Sequence, residues 1–437
     1  MEPIAGNSRK SKRGAIRVAL LVTVVLGAAS CNSAEDPNLA WLLSLQNGAT
    51  ENTQGSGTVN EIPFSYEISD IQQGDGQFLF DTTKSIPIDI VVQDPTGGVS
   101  GTMVQVRDLA NGNRVLFRAK TDESGNATGA VTVNQDTRNV VVEVSYNGQL
   151  IQINVDIEQV SQSSITLRVQ VKAEAQPIVD RDGDGIPDNE DQFPDDPNKA
   201  TTVRVPSEGY YRIAYEDLYP NRGDADFNDY VVQMYQEQDL NASGQLVELR
   251  AHYQHIAKGA GYDHTLHLAM PESVHGSATL VRYSPSGEEL SRSVENVANG
   301  NAIEILGRSN NTISQSNTAK NQSFAPGQMA VFTFLPSAPV ALAIMGKAPY
   351  DLFIKVLNTG HEVHFAGKYY REDGSDRYID SAGFPWALLV PDYFQWPYER
   401  ENIHDAYPQF DDWYLSAGRD FRDWYDSPVN QYVFPLN

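Results

Sequence analysis

Five carboxylates recur at positions 1, 3, 5, 9 and 12 of the segment 180–191: Asp180, Asp182, Asp184, Asp188 and Asp191, with Gly185 at position 6. Carboxylates at alternate residues converge only if the chain turns sharply, which a glycine with positive φ permits. Their mutual repulsion is offset by a hard cation that takes about six to eight oxygens, so the spacing predicts Ca2+. Position 12 is Asp191 where a helix-flanked loop has a bidentate Glu. A second group, Asp224, Asp226 and Asn228, alternates with Ala225 and Phe227, so an extended segment would put three oxygen-bearing side chains on one face. Glu216, Asp217 and Asp229 add oxygens nearby. Two readings stand for this group: a second cation site, because crowded like charges are costly without a positive partner, or an Asp and Asn hydrogen-bond network that shapes a turn.

Histidines offer less. His361 and His364 are spaced i, i+3, unlike the H-E-x-x-H of zinc peptidases, as are His252 with His255 and His264 with His267. All three pairs lie in strand-like sequence, where residues three apart face opposite sides, so none can chelate as a pair. Nucleophile-elbow, P-loop and dinucleotide fingerprints are missing from the sequence, and acidic residues are too abundant to single out a glycosidase pair. No enzyme is expected.

Cys31 is the one cysteine in 437 residues. Before it come Arg9, Lys10, Lys12, Arg13 and Arg17, an apolar run over 18–29, and the small residues Ala28, Ala29 and Ser30. That order is a secretion signal, too short to span a bilayer. It resembles a bacterial lipoprotein signal, although Ala28 stands at −3 where that pattern prefers Leu. The resemblance implies a thioether-linked diacylglycerol and an N-acyl chain, such as palmitate, on Cys31. Several acyl chains suffice for stable membrane attachment. With Cys31 lipidated no disulfide can form, so the domains must rest on ordinary cores or bound metal. A formal charge of −25 repels phosphate backbones and excludes nucleic acid as a partner.

The elements that must position these residues are strands. Segments 86–92, 102–106, 114–117, 130–133, 140–144, 150–155 and 165–171 are short, β-branched and bounded by Gly, Asn, Asp or Pro. Asn111-Gly112 and Asn147-Gly148 are hairpin signals, and the count predicts an immunoglobulin-like β-sandwich. The organisation expected is a lipoprotein signal peptide over 1–30, a polar tether over 31–61 and the sandwich over 62–175. The calcium linker follows over 176–202, then a β-rich domain over 203–437 with one or two helices near its end. Apolar residues at 403, 406, 407, 410, 413, 414 and 417 have a helical period and predict one helix that packs through Ile403, Tyr407, Phe410 and Trp413. The aromatic cluster of Trp386, Phe394, Trp396, Tyr398, Tyr407, Phe410, Trp413, Trp424 and Tyr425 reads as core, with a carbohydrate or peptide platform as the alternative.

Ile186-Pro187 after the glycine, and Phe193-Pro194-Asp195-Asp196-Pro197 further on, make the acidic run resemble a thrombospondin type 3 calcium repeat. Gly223-Asp224-Ala225-Asp226-Phe227-Asn228-Asp229-Tyr230, Gly383-Phe384-Pro385-Trp386, Trp396-Pro397-Tyr398-Glu399 and Asp423-Trp424-Tyr425 come in an order and separation that resemble the LruC-domain family of bacterial envelope lipoproteins. That resemblance spans 203–437 and implies an outer-membrane lipoprotein, seen by host immunity as an antigen, with no established enzymatic activity. The function expected is that of a lipid-anchored, calcium-stabilised outer-membrane lipoprotein with a binding or structural role in the cell envelope. Its partners would be the membrane, through the N-terminal lipid, and an envelope or host macromolecule. An extracytoplasmic hydrolase acting on glycan or peptide is the alternative.

Overall fold

The computed structural model describes residues 23–25, 64–70, 80–157, 163–170 and 179–436, apart from 95–96, 109, 111–113, 147–148, 222, 260 and 382. Cys31, the tether and most of the expected signal peptide lie outside the described residues.

The N-terminal half is built from β1 (Thr23–Val25), β2 (Phe64–Asp70), β3 (Thr83–Asp94), β4 (Gly97–Gly98), β5 (Met103–Asp108), β6 (Arg114–Lys120), β7 (Asn126–Asn134), β8 (Asn139–Tyr146), β9 (Gln149–Asp156) and β10 (Ser163–Gln170). One sheet has the order β1-β9-β8-β5-β6; the other runs β2-β10-β3-β4, with β7 also on β3. Alternation sets which side chains turn inward: Ile86, Ile88, Ile90 and Val92 of β3 share a core with Val104, Val106, Phe117 and Val142. β3 and β10 run parallel, and the remaining pairings are antiparallel, so the two sheets make the expected sandwich.

The C-terminal half follows with β11 (Thr201–Val205), β12 (Tyr211–Tyr215), β13 (Tyr230–Leu240), β14 (Gln245–Ala257), β15 (His264–Ala269), β16 (Gly276–Tyr283), β17 (Glu289–Val297), β18 (Ala302–Leu306), α1 (Ser309–Thr312), β19 (Met329–Pro336), β20 (Val340–Ala341), α2 (Leu342–Met345), β21 (Asp351–Val356), β22 (Glu362–Val363), β23 (Ala387–Pro391), α3 (Ile403–Ala406) and α4 (Phe410–Leu415). A large sheet has the order β17-β16-β19-β14-β13-β12-β23, with β11 on β13 and β20 on β14; a smaller one runs β18-β15-β21-β22. The fold class is therefore mainly β throughout.

The single helix expected over 399–417 does not form. Pro408 disfavours helical backbone at Tyr407, which sits at φ −135°, so the segment breaks into α3 and α4. Its apolar period still serves the core: Ile403, Tyr407, Phe410 and Trp413 are all buried, with Trp396, Trp424 and Tyr425, in a second core on the outer side of β12 and β23. A stacking platform would need these rings exposed, and the indoles of Trp396, Trp413 and Trp424 are enclosed instead.

The halves touch directly. Lys120 N donates to Ala242 O at 2.7 Å, and Asp81 bridges to Leu389 of β23. Lys347 Nζ reaches Asp81 Oδ2 at 2.5 Å and Thr83 O at 2.7 Å.

Candidate metal centres

The loop 180–191 lies where the halves meet. Gly183 and Gly185 take φ of 76° and 89°, a left-handed backbone that places alternate aspartates on one side. Asp180 binds the loop to itself, its Oδ1 accepting from Gly183 N at 2.7 Å and its Oδ2 from Gly185 N at 2.9 Å. Asp182, Asp184 and Asp191 share one pattern. In each, Oδ1 accepts from the amide two residues on, at 3.2, 2.7 and 2.7 Å, and Oδ2 is buried with no hydrogen-bond partner. Carboxylate oxygens of Asp180, Asp182 and Asp184 lie within 4.8 Å of one another. Burial, and then the neighbouring aspartates, push Asp184 and Asp191 above the usual carboxylate range. Asp188 stands apart: it pairs with Arg181, Nε to Oδ2 at 2.8 Å, and accepts that residue's amide at 2.9 Å.

Three contacts fix the loop to the first sandwich. Lys120 Nζ donates to Asp184 O at 2.5 Å, Ser145 Oγ to Glu190 Oε1 at 2.6 Å, and Arg118 Nη1 to Glu190 O. Ile186 is buried with Met103 of the sandwich and Ala200 of the second half.

The second group is not the extended segment its alternation suggested. Ala225 and Phe227 have positive φ, 60° and 49°, and both are buried, Phe227 against Phe384 at 5.5 Å between ring centres. The turn nonetheless gathers carboxylates, with oxygens of Glu216, Asp224 and Asp226 within 4.8 Å of one another. Burial and the Asp224 charge push Asp226 up to about 7, and burial with the Asp226 charge raises Glu216. Asp229 lies beside the same group: its Oδ2 accepts from Asp217 N at 2.9 Å, and burial with the Glu216 charge pushes it above the usual carboxylate range. Asn228 is fully enclosed; its Nδ2 donates to Pro397 O at 3.1 Å and its Oδ1 has no partner. Glu399 joins from the far end of the chain: a Cβ built on Gly259 would meet Asn228 Oδ1 at 2.0 Å and Glu399 Oε2 at 3.0 Å.

Residues 244–425 match the family model of a domain of unknown function, DUF4842. The matched stretch begins at Gly244, just before β14, and takes in Glu399, while the loop 180–191 and the turn 216–229 precede it. No curated protein is similar to the chain by sequence. Among solved structures, a candidate lipoprotein from Bacteroides ovatus is 14% identical, with 85% of this chain and 99% of that one covered at a TM-score of 0.46. A variant of Bacillus subtilis oxalate decarboxylase OxdC is 13% identical over 64% of this chain and 71% of that one, with a TM-score of 0.10.

Strand geometry divides His252 from His255 on β14 and His264 from His267 on β15, while His361 and His364 flank the two-residue β22. His255 and His364 are buried, whereas His252 and His361 are partly or fully exposed. One constellation escapes sequence reading because its members are far apart in the chain. His264 Nε2 lies 2.9 Å from Asp217 Oδ2 and its Nδ1 3.2 Å from Ser309 Oγ. Ser309 Oγ in turn donates to Asp263 Oδ1 at 3.1 Å, and Ser309 and His264 are wholly enclosed, an arrangement that ties α1 to β15.

Proposed function

We propose that the protein is a lipid-anchored, calcium-stabilised lipoprotein of the bacterial outer membrane, of the LruC-domain type, with a binding or structural role in the envelope. The observation that carries the calcium reading is the set of buried, partnerless Oδ2 atoms on Asp182, Asp184 and Asp191. Buried carboxylate oxygens left without donors are costly, and a hard cation offsets that cost. Ile186, Lys120 and Ser145 seat the same loop against both halves. An ion held there would stiffen the junction between two β-domains rather than activate a substrate.

The anchoring reading rests on the basic, apolar and small-residue order that ends at Cys31. An acidic, anchored β-protein displayed at the outer membrane is also open to host antibodies, and its ligand would be a component of the envelope or of the host. The hydrolase alternative gains little from the Ser309, His264 and Asp217 chain, because a substrate cannot reach a wholly enclosed hydroxyl.

Thermal unfolding of the full chain in millimolar calcium and in chelator tests the calcium reading. Calcium should raise Tm, and Asp182→Asn with Asp184→Asn should remove most of the rise; a Tm indifferent to calcium refutes it. Labelled palmitate should enter the wild type and not Cys31→Ser, and protease treatment of intact cells reports the face of the membrane.

A further inference from the structure

We infer that Glu216, Asp224, Asp226, Asn228 and Glu399 form a second calcium site, independent of the loop 180–191, whose ion latches the segment 397–403 onto the turn 224–228. Oxygens of Glu216, Asp224 and Asp226 lie within 4.8 Å of one another, and among the described residues no lysine or arginine side chain forms an ion pair with any of them. Glu216 is 2% exposed, and its Oε2 accepts no hydrogen bond; its other oxygen is used by Phe227 N at 2.6 Å. Gly223 leaves the room that this oxygen needs, since a Cβ there would lie 2.1 Å from it.

Asn228 supplies an observation independent of the charges. It is neutral and 0% exposed, and its amide orientation is fixed because Nδ2 must donate to Pro397 O; a flipped amide would set two carbonyl oxygens against each other. Its Oδ1 therefore faces the space over Gly259 that Glu399 Oε2 also faces, without a donor. Four carboxylates and one amide oxygen, with no sulfur or imidazole in the set, select a hard, oxygen-seeking cation such as Ca2+ over zinc.

The latch follows from the backbone around the site. Arg400 N donates to Asp226 Oδ2 at 2.8 Å, Asn402 Nδ2 to Asp224 O at 3.0 Å, and Ile403 N to Ala225 O at 2.8 Å. Glu399 precedes these contacts and α3 begins at the last of them, so an ion shared by Glu399 and the turn would close the strand-to-helix crossing over the second core.

Calcium titration of the full chain by calorimetry tests this, using a variant in which Asp182→Asn and Asp184→Asn disable the loop. That variant should still bind one calcium per chain, and adding Glu216→Gln with Asp226→Asn should abolish the binding. A folded loop variant that binds no calcium overturns the inference while leaving the loop assignment intact. Should the quadruple variant fail to fold, Asp224→Asn, whose side chain is exposed, should weaken the remaining site about tenfold or more; unchanged affinity overturns the inference. Trypsin cleavage after Arg400 in the loop variant should accelerate in chelator, and equal rates with and without calcium overturn the latch.

Discussion

Arg250 grips Asp239 with both terminal nitrogens, Nη1 to Oδ2 at 2.7 Å and Nη2 to Oδ1 at 2.8 Å. The same carboxylate takes Lys199 Nζ at 2.8 Å and Thr202 Oγ1 at 2.7 Å, so the end of the acidic linker is tied to the β13–β14 hairpin. Burial pushes Asp239 up, but these donors outweigh it and hold the group at about 2. Asp239→Asn removes the more buried of the two carboxylates that Lys199 and Arg250 share, leaving them Glu248, and should cost about 1.5–3 kcal/mol in urea unfolding at neutral pH. Because the folded value lies below the unfolded one of about 3.9, the stabilisation is present above that pH and lost as pH falls towards 2. Wild type and variant should therefore converge in acid.

His267 gives a pH dependence in a different window. Burial lowers its proton affinity to about 4, with Thr265 Oγ1 at 2.7 Å and the Phe353 ring stacked at 5.3 Å. The unfolded chain takes up the proton first, near pH 6.5, so this group stabilises the fold above that pH and the contribution is lost as pH falls towards 4. His267→Gln should flatten the slope of unfolding free energy against pH in that window by up to about 1.4 kcal/mol per unit. Parallel slopes for the two proteins would contradict this.

Gly185 is a sensitive point of the first loop. Its φ of +89° strains any L side chain, and an added Cβ would lie 1.9 Å from Lys120 Nζ. The lysine end can move, the backbone less easily. Gly185→Ala should lower Tm by an amount equivalent to about 1–2 kcal/mol and weaken calcium binding at the loop while leaving binding by the turn 224–228 unchanged, as read by calorimetry.

Trp424 is enclosed by Phe410, Tyr407, Trp413 and Phe394, with ring centres 4.8, 5.1, 5.4 and 5.8 Å away. Trp424→Ala should cost about 3–5 kcal/mol through lost burial and the cavity left behind, with Trp424→Phe costing less. An aromatic platform for a ligand would behave oppositely, losing binding with little change in unfolding midpoint.

The sandwich strands were legible because Ile86, Ile88, Ile90 and Val92 alternate over enough residues to fix both period and face. Local punctuation was legible too: Gly185 marks the turn of the acidic loop. What failed was local pattern overruled by a neighbour. Pro408 split a helical period. At the second group, alternation suggested a strand, but left-handed Ala225 and Phe227 bent it into a turn. Glu399 was beyond reach for another reason: only the folded sheet brings it to Asn228, and no spacing in the sequence encodes that meeting.

The position of β12 sets a timetable for folding. Tyr211 pairs with Met234 on one side and with Pro391 on the other, so this strand stays half-paired until nearly all of the following chain has emerged. Asp81, far earlier, waits for Leu389 in the same way. Closure so late in the sequence makes compaction slow and discourages premature folding, so the sheet stays open at this edge until its last described strand is free.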